Sequence, residues 1–244
     1  MSTVFRILYQ DPHYVAIDKP AGFHVHPPED KAHRISKSVN CLALLRDQLG
    51  TYLYPVHRLD RATSGVLIFG LSSEAAKKLS ESFTRQEVQK TYYCVTRGWI
   101  LEKNRISRPL KSEQSSEEPS YLDSITDINP LARIELPIAV GPYSSCRYSL
   151  VEVQPKTGRR HQIRRHLEHI SHPLVGDTVY GRTEHNRIFK EHLGISGLLL
   201  KAYSLEFIHP FYNHSIRIIS KWNGAWHRVF NLFGVCPYPT QNSS

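Results

Sequence analysis

The sequence predicts an α+β fold, with a largely antiparallel, mixed sheet flanked by helices and loops. Short apolar segments with strand-like alternation outnumber segments with helical spacing, and the two kinds do not alternate regularly along the chain. No glycine-rich phosphate-binding loop follows a predicted strand, which argues against a doubly wound nucleotide-binding fold and a nucleotide cofactor. The 244 residues are enough to bury a substantial core.

The first hundred residues predict a hairpin, two helices and two further strands. Turn-forming Asp11 and Pro12 separate the two hairpin strands, and Gly50 ends the first helix. A serine caps the second helix. Strands are expected at 5–9, 14–18, 66–69 and 90–99, and helices at 38–49 and 73–83.

The second half continues the mixed pattern. A half-buried strand is expected at 147–153, further strands at 198–208 and 215–219, and helices at 162–170 and 225–233. The serine- and glutamate-rich centre of residues 102–130 predicts a variable surface loop or insertion. We expect residues 1–236 to form one catalytic domain and residues 237–244 a flexible tail.

Composition narrows the functional classes. The formal net charge of +9 suits a polyanionic partner, because lysine and arginine displace counterions from a phosphate backbone. No apolar run is long enough to span a membrane, and the first residues lack the layout of a secretory signal. The four scattered cysteines are expected to be reduced. We therefore expect a cytoplasmic protein, monomeric and without an obligate protein partner.

Residues 57–65 contain a single carboxylate among basic and turn-forming residues. Asp60 lies between Arg58 and Arg61 and precedes an apolar strand. Nearby arginines favour the ionised form of a carboxyl group, which is the form that acts as a nucleophile or general base. Thr63 can bond the turn backbone, and Gly65 can adopt conformations that other residues resist. By itself this motif is equally compatible with a structural aspartate that caps a turn.

Residues 157–167 form a second, strongly basic motif that turns at Gly158 and continues as a helix. If the helix begins near His161, Arg164 lies on the next turn and can face Asp60. Arg160 or Arg165 can then point toward phosphates. Ile163 and Leu167, four residues apart, would anchor the opposite face in the core.

Two smaller signals have competing interpretations. Lys90 and Tyr92 project to the same face of a strand, where the tyrosine can stack on a base or simply fill the core. His166 and His169 share a helix face, but no acidic or cysteine ligand completes a metal site, so no metal is expected.

Taken together, these segments resemble the RluA family of pseudouridine synthases. They occur in the family's order between about residues 7 and 210. The segments that match are 57–60 with 63–65, 18–22 with 25–26, 90–92, 157–159 with 161–164, and 172–177 with 180–181. Lys201 stands where many members have histidine, a departure that touches no catalytic residue. The first motif begins at Asp18, so the S4 RNA-binding domain that members often carry is not expected.

The resemblance implies the pseudouridine synthase catalytic fold and an isomerase that needs no cofactor. It implies that Asp60 is the catalytic aspartate, Arg164 its basic partner and Tyr92 the stacking tyrosine. Segments 71–75, 153–159 and 164–167 are similar to the subgroup that modifies uridine 65 in the T-arm stem of tRNA. The candidate RNA contacts are His57, Arg58, Arg61, Thr63, Lys90, Arg159, Arg160, His161 and Arg165.

Three alternatives stay open at this point. The substrate can be a uridine of large-subunit rRNA rather than tRNA. The chain can be a non-catalytic RNA-binding protein that keeps the fold and its basic surface. A metal-dependent hydrolase built on the histidines is the third alternative, although it does not explain why a carboxylate accompanies the arginines so closely.

Overall fold

The structure, a computed structural model, describes residues 4–25, 37–112 and 120–236. His26, the centre of the expected loop at 113–119 and the expected tail at 237–244 lie outside the described residues.

The elements follow one another with short connections. The strands are β1 (Ile7–Gln10), β2 (Tyr14–Lys19), β3 (Tyr54–Pro55), β4 (Ser64–Gly70), β5 (Gln89–Arg97), β6 (Asn104–Ser107), β7 (Leu110–Lys111), β8 (Tyr121–Leu122), β9 (Ile125–Leu136), β10 (Cys146–Pro155), β11 (Leu200–Ile208) and β12 (Ser215–Ile219). The helices are α1 (Cys41–Leu49), α2 (Ser73–Thr84), α3 (Gln162–His169), α4 (Thr183–Leu193) and α5 (Gly224–Phe233), and a single 3-10 turn covers Lys37–Val39.

Ten strands form one mixed sheet in the order β1-β2-β4-β11-β5-β10-β9-β6, with β12 beside β11 and β3 beside β4. Every pairing in this sheet is antiparallel except that of β4 with β11. β7 and β8 form a separate two-stranded ribbon. The fold class predicted from the sequence is therefore correct.

Apolar side chains cover both faces of the sheet. In β10, Tyr148 and Leu150 belong to a cluster on one face, and Val151 and Val153 belong to a cluster on the other. The expectation of a half-buried strand here is wrong, because β10 lies inside the sheet, between β5 and β9, with packed clusters on both sides.

Local signals set several helix ends. The Asn40 side chain accepts a hydrogen bond from the Ala43 N–H at the start of α1, and Gly50 ends that helix in a left-handed conformation. The Ser72 side chain caps α2 in the same way. Among the helices within the described segments, none combines the length and apolarity needed to cross a bilayer.

The structure contains elements in two places where the sequence predicted none. The described part of the expected loop at 102–130 contains β6, β7, β8 and the start of β9, so this expectation is largely wrong. Strand pairing is the reason for the difference. β6 pairs with β9 at the edge of the sheet, and this pairing buries Ile106 and Ile128. The helix α4 was also missed, since only His185, Ile188 and Phe189 of its length are buried and the periodic signal is short.

Candidate active site

The loop that carries Asp60 is tied down at both ends. Leu59 is buried in the apolar cluster beneath the loop, and the Thr63 N–H donates to the Asp60 carbonyl at 3.1 Å, closing a turn. The buried Lys19 ammonium donates to the Arg61 carbonyl at 3.3 Å and to that of Phe23 at 2.9 Å. Burial lowers the pKa of Lys19 to about 8. The Lys19 side chain at the end of β2 thus holds the loop through one of its backbone carbonyls.

Gly65 explains how the loop enters the sheet. Its φ is +121°, and a Cβ at this position would lie 2.0 Å from the Ala202 carbonyl oxygen of β11. Only glycine therefore allows β4 to approach β11 closely enough for their parallel pairing. As a result the Asp60 loop lies at the centre of the sheet, next to the start of β11.

Asp60 faces the beginning of α3. Its Oδ2 atom lies 3.5 Å from Arg164 Nη1 and 3.9 Å from His161 Nε2. The Asp60 side chain is only 17% exposed and that of Arg164 only 6%. The expected meeting of the two motifs therefore takes place, with two nitrogen groups directed at one carboxylate oxygen.

A second carboxylate, Asp177, fixes the guanidinium of Arg164. Arg164 Nε and Nη2 donate to the two oxygens of Asp177 at 2.7 and 2.9 Å, a bidentate pair. Asp177 also accepts from the backbone N–H groups of Val179 and Tyr180. Burial alone would lower the pKa of Arg164, but the hydrogen bonds and charge of Asp177, with a smaller contribution from Asp60, raise it. The guanidinium is therefore a permanent cation with one face committed to Asp177.

The buried amide of Gln162 sets where α3 begins. Its oxygen accepts from the Thr157 hydroxyl at 2.7 Å and from the Arg159 N–H at 3.0 Å. Its nitrogen donates to the Ile125 carbonyl and to the Thr126 hydroxyl oxygen of β9. Ile163 and Leu167 are buried below, as the spacing predicted. These contacts hold the turn and helix so that Arg164 faces Asp60.

β5 supplies the opposite wall. Tyr92 packs between the apolar clusters around Leu59 and around Ile163, and burial followed by the charge of Asp60 raises its pKa, so the phenol keeps its proton. The Lys90 ammonium donates to the Thr157 carbonyl at 3.1 Å. Burial, with a smaller contribution from Lys156, lowers the pKa of Lys90 to about 8.

These elements enclose a cavity of about 500 Å³. Twelve site residues were predicted from the sequence, and the ten that line the cavity are His57, Arg58, Asp60, Thr63, Lys90, Tyr92, Arg159, Arg160, His161 and Arg164. Phe83 and Gln86, at the end of α2, close one side. The cavity therefore combines one carboxylate with several cations and an aromatic ring.

The other two predicted residues face elsewhere. Arg61 Nε donates to the Gly22 carbonyl at 3.0 Å, and Arg61 thereby joins the Asp60 loop to the turn after β2. Arg165 Nη1 donates to the Lys111 carbonyl of β7 at 3.2 Å. Spacing alone could not show these contacts, because the direction of Arg165 depends on the turn that starts α3 and that of Arg61 on how the Asp60 loop packs against the turn after β2.

His57 lines the cavity, but its side chain is bonded to and packed against other parts of the protein. Its Nε2 accepts from the Ile68 N–H at 3.2 Å, and its ring stacks on Phe83 at 4.7 Å. Burial, with a contribution from Lys90, lowers the pKa of His57 to about 3. The ring is therefore neutral at physiological pH and bonded within the fold, and its contact with RNA stays a prediction.

His166 of α3 also has a structural role. His166 Nδ1 bonds the Thr126 hydroxyl at 2.9 Å, and its Nε2 bonds the Arg108 carbonyl at 3.1 Å. Both ring nitrogens are thus used by the protein. Within the segments that the structure describes, no group of three or more His, Cys, Asp or Glu residues is arranged to hold a metal ion.

Sequence reasoning assigned no role to Asp177, Tyr180 or Gln162. All three lie in segments that resemble family motifs, 161–164, 172–177 and 180–181, and this was the signal available. Their function is visible only once α3 and the turn before α4 are packed together.

Comparisons with known proteins identify the family of this chain. The model of the family described as RNA pseudouridylate synthase matches residues 13–169. A Vibrio cholerae protein described as tRNA pseudouridine synthase C is 42% identical over 238 residues, which cover 95% of this chain and 96% of the relative. A Haemophilus influenzae protein of the same description is also 42% identical, with 95% and 98% of the two chains covered.

Two solved human structures share the fold. RNA Pseudouridylate Synthase Domain Containing 4 aligns with a TM-score of 0.69 at 22% identity, over 94% of this chain and 93% of its own. RNA Pseudouridylate Synthase Domain Containing 1 aligns with a TM-score of 0.68 at 23% identity, over 91% and 85% of the two chains. The chain belongs to the RNA pseudouridylate synthase family, of the RluA type, and is an isomerase.

Proposed function

We propose that this protein converts a uridine of tRNA to pseudouridine, at position 65 of the T-arm stem, with Asp60 as the catalytic carboxylate. The observation that carries the proposal is the placement of Asp60 beside Arg164 in a basic cavity. The curated relatives at 42% identity, which span nearly the same length, are described as tRNA pseudouridine synthases C. That description and the subgroup segments of the sequence support tRNA over rRNA.

The reaction is an isomerisation, so no atom is gained or lost. The bond between uracil N1 and ribose C1′ breaks, the base turns, C5 bonds to C1′, and the proton of C5 is exchanged for one on N1. Asp60 provides the negative charge, whether it attacks the sugar, attacks the base or removes a ribose proton. Arg164 holds this charge in place, and Asp177 prevents Arg164 from moving fully onto it.

The uridine must leave its stem to reach Asp60. Flipping a paired nucleotide costs a few kcal/mol. Stacking of the extruded base on Tyr92 offsets about 1–3 kcal/mol of this cost. Arg58 and Arg160, both exposed at the cavity rim, and the ammonium of Lys90 are placed to contact the flanking phosphates. A volume of about 500 Å³ is within the range of small-ligand sites and suits one nucleotide.

The experiment compares Asp60→Asn with the wild-type protein on unmodified tRNA transcripts. Asparagine keeps the size of the side chain and removes its charge. We expect pseudouridine formation, detected by mass spectrometry, to fall on the order of 10⁴-fold, the scale of losing a group essential to the chemical step. Binding of tRNA should be retained, because the variant removes a negative charge. Retained activity in Asp60→Asn would exclude the proposed chemistry.

A second arm tests the substrate. A transcript that carries cytidine in place of uridine 65 should give no product, and mapping pseudouridines in total RNA of a deletion strain should show the loss of that one position. Loss of an rRNA position instead would support the large-subunit alternative. A deletion strain that is complemented by Asp60→Asn and lacks no pseudouridine would support a purely RNA-binding protein.

A further inference from the structure

Asp60 has a second neighbour besides Arg164. The imidazole of His161 lies with Nε2 3.9 Å from Asp60 Oδ2, and this is the same oxygen that Arg164 approaches. His161 was expected to contact RNA. Its side chain is only 16% exposed, and the ring is turned toward Asp60 and Tyr180. A different role is therefore indicated.

The backbone of His161 is unusual in a way that serves this orientation. Its φ is +53°, in the left-handed region, and it occupies the position before α3 without making a side-chain cap. A serine or asparagine at that position would ordinarily bond the first turn of the helix. Here the left-handed residue directs the ring across the cavity instead. Unfavourable backbone conformations held by the surrounding structure are often found at functional sites.

Tyr180 and Asp60 together determine which nitrogen of the ring carries a proton. The Tyr180 hydroxyl lies 3.1 Å from His161 Nδ1, and the backbone N–H of Tyr180 is held by Asp177. If Nδ1 donated to Tyr180, the lone pair of Nε2 would face the negative Asp60, which is unfavourable. The hydroxyl therefore donates to Nδ1, and Nε2 carries the proton that faces Asp60. A protonated ring would present the same N–H group.

We propose that His161, oriented by Tyr180, is a positioning residue that holds Asp60 Oδ2 together with Arg164 and leaves Oδ1 as the oxygen that reacts. Asp177 anchors both halves of this arrangement, Arg164 through its guanidinium and Tyr180 through its backbone. A donor on each side of one oxygen restricts rotation of the carboxylate. At 3.9 Å the contact between Nε2 and Oδ2 is an electrostatic one, longer than a hydrogen bond.

The inference rests on the proposed function and is tested with two substitutions that separate the ring nitrogens. In His161→Asn the side-chain amide takes the place of the Nδ1 side of the ring, and asparagine adopts the left-handed backbone conformation readily. The asparagine side chain is too short to place an N–H group near Asp60. In His161→Gln the longer amide places an N–H near the position of Nε2. Under saturating tRNA, kcat of His161→Asn should fall about tenfold because the N–H group that faces Asp60 is lost, with KM within twofold.

His161→Gln should recover most of that loss, and Tyr180→Phe, which no longer fixes the tautomer, should lower kcat with unchanged KM. An RNA contact would instead raise KM in both His161 variants. A merely structural role would lower thermal stability in both and give no recovery with glutamine. Wild-type kcat in His161→Asn overturns the inference. If the wild-type protein itself forms no pseudouridine in tRNA, the proposed function fails first, and the two failures are thereby distinguished.

Discussion

The effect of replacing Asp177 on the free energy of unfolding tests whether the buried pair of Asp177 and Arg164 stabilises the site. Asp177 is a buried residue, and its carboxylate accepts two hydrogen bonds from Arg164 and two from backbone N–H groups. Asp177→Ala leaves the buried guanidinium of Arg164 with Asp60 as its counter-charge. Removal of one partner of a buried ion pair costs about 3–5 kcal/mol. For a domain of this size that corresponds to a melting temperature lower by about 6–20 °C.

The assay is urea unfolding of the wild-type protein, Asp177→Ala, Arg164→Met and the double variant. The double variant lacks both members of the Arg164–Asp177 pair, so neither leaves the other unpaired, and its loss of unfolding free energy should be smaller than the sum of the single losses by about 2 kcal/mol or more. Additivity within about 0.5 kcal/mol would refute the claim that these charges depend on each other.

The same variants separate stability from activity. In Asp177→Ala the released guanidinium can close fully onto Asp60, so turnover should fall while tRNA affinity is retained. The double variant should regain stability and remain inactive. In Arg164→Ala turnover should likewise fall far more than affinity, and equal losses in both would instead make Arg164 a phosphate contact.

Three further outcomes are expected. Because the pKa of Lys90 is lowered to about 8, its ammonium loses its proton as the pH rises through that value, and KM for tRNA should increase between pH 7 and 9. The variant Lys90→Arg keeps its charge over this range and should abolish the pH dependence of KM. A pH dependence that persists in Lys90→Arg would show that another group causes it. Gly65→Ala should lower the urea midpoint sharply, because its Cβ would lie 2.0 Å from a carbonyl oxygen of β11, whereas Gly158→Ala, with no atom within 4 Å, should leave it unchanged. Asp18→Ala leaves the buried ammonium of Lys201 without its carboxylate and should destabilise the protein more than Lys201→Met does. In Lys201→Met the Asp18 carboxylate still accepts hydrogen bonds from the Ser220 hydroxyl and the Lys221 N–H. The reverse order of stabilities would contradict this assignment.

The local sequence pattern was enough to predict those elements whose structure depends on residues that are close together in the sequence. The hairpin of β1 and β2, the helix after Ser72 and the buried face of α3 follow from turn residues, caps and periodicity. It failed for β6 and β9, whose burial depends on pairing with strands rather than on their own alternation. The same reason explains β10, which is buried on both faces because of its position in the sheet.

The sequence by itself determined that one carboxylate and a group of arginines would share a basic site, because the residue types and their spacing carry that chemistry. The family resemblance indicated Arg164 as the partner of Asp60, and only the tertiary structure decided how each of the other arginines is used. Arg61 and Arg165 resemble Arg164 in the sequence but bond to backbone carbonyls of other segments. The strand order brings Asp60 and Tyr92 to one cavity, and the packing of α3 places Arg164 between Asp60 and Asp177. Direction and partnership are properties of packing, so spacing along one segment cannot determine them.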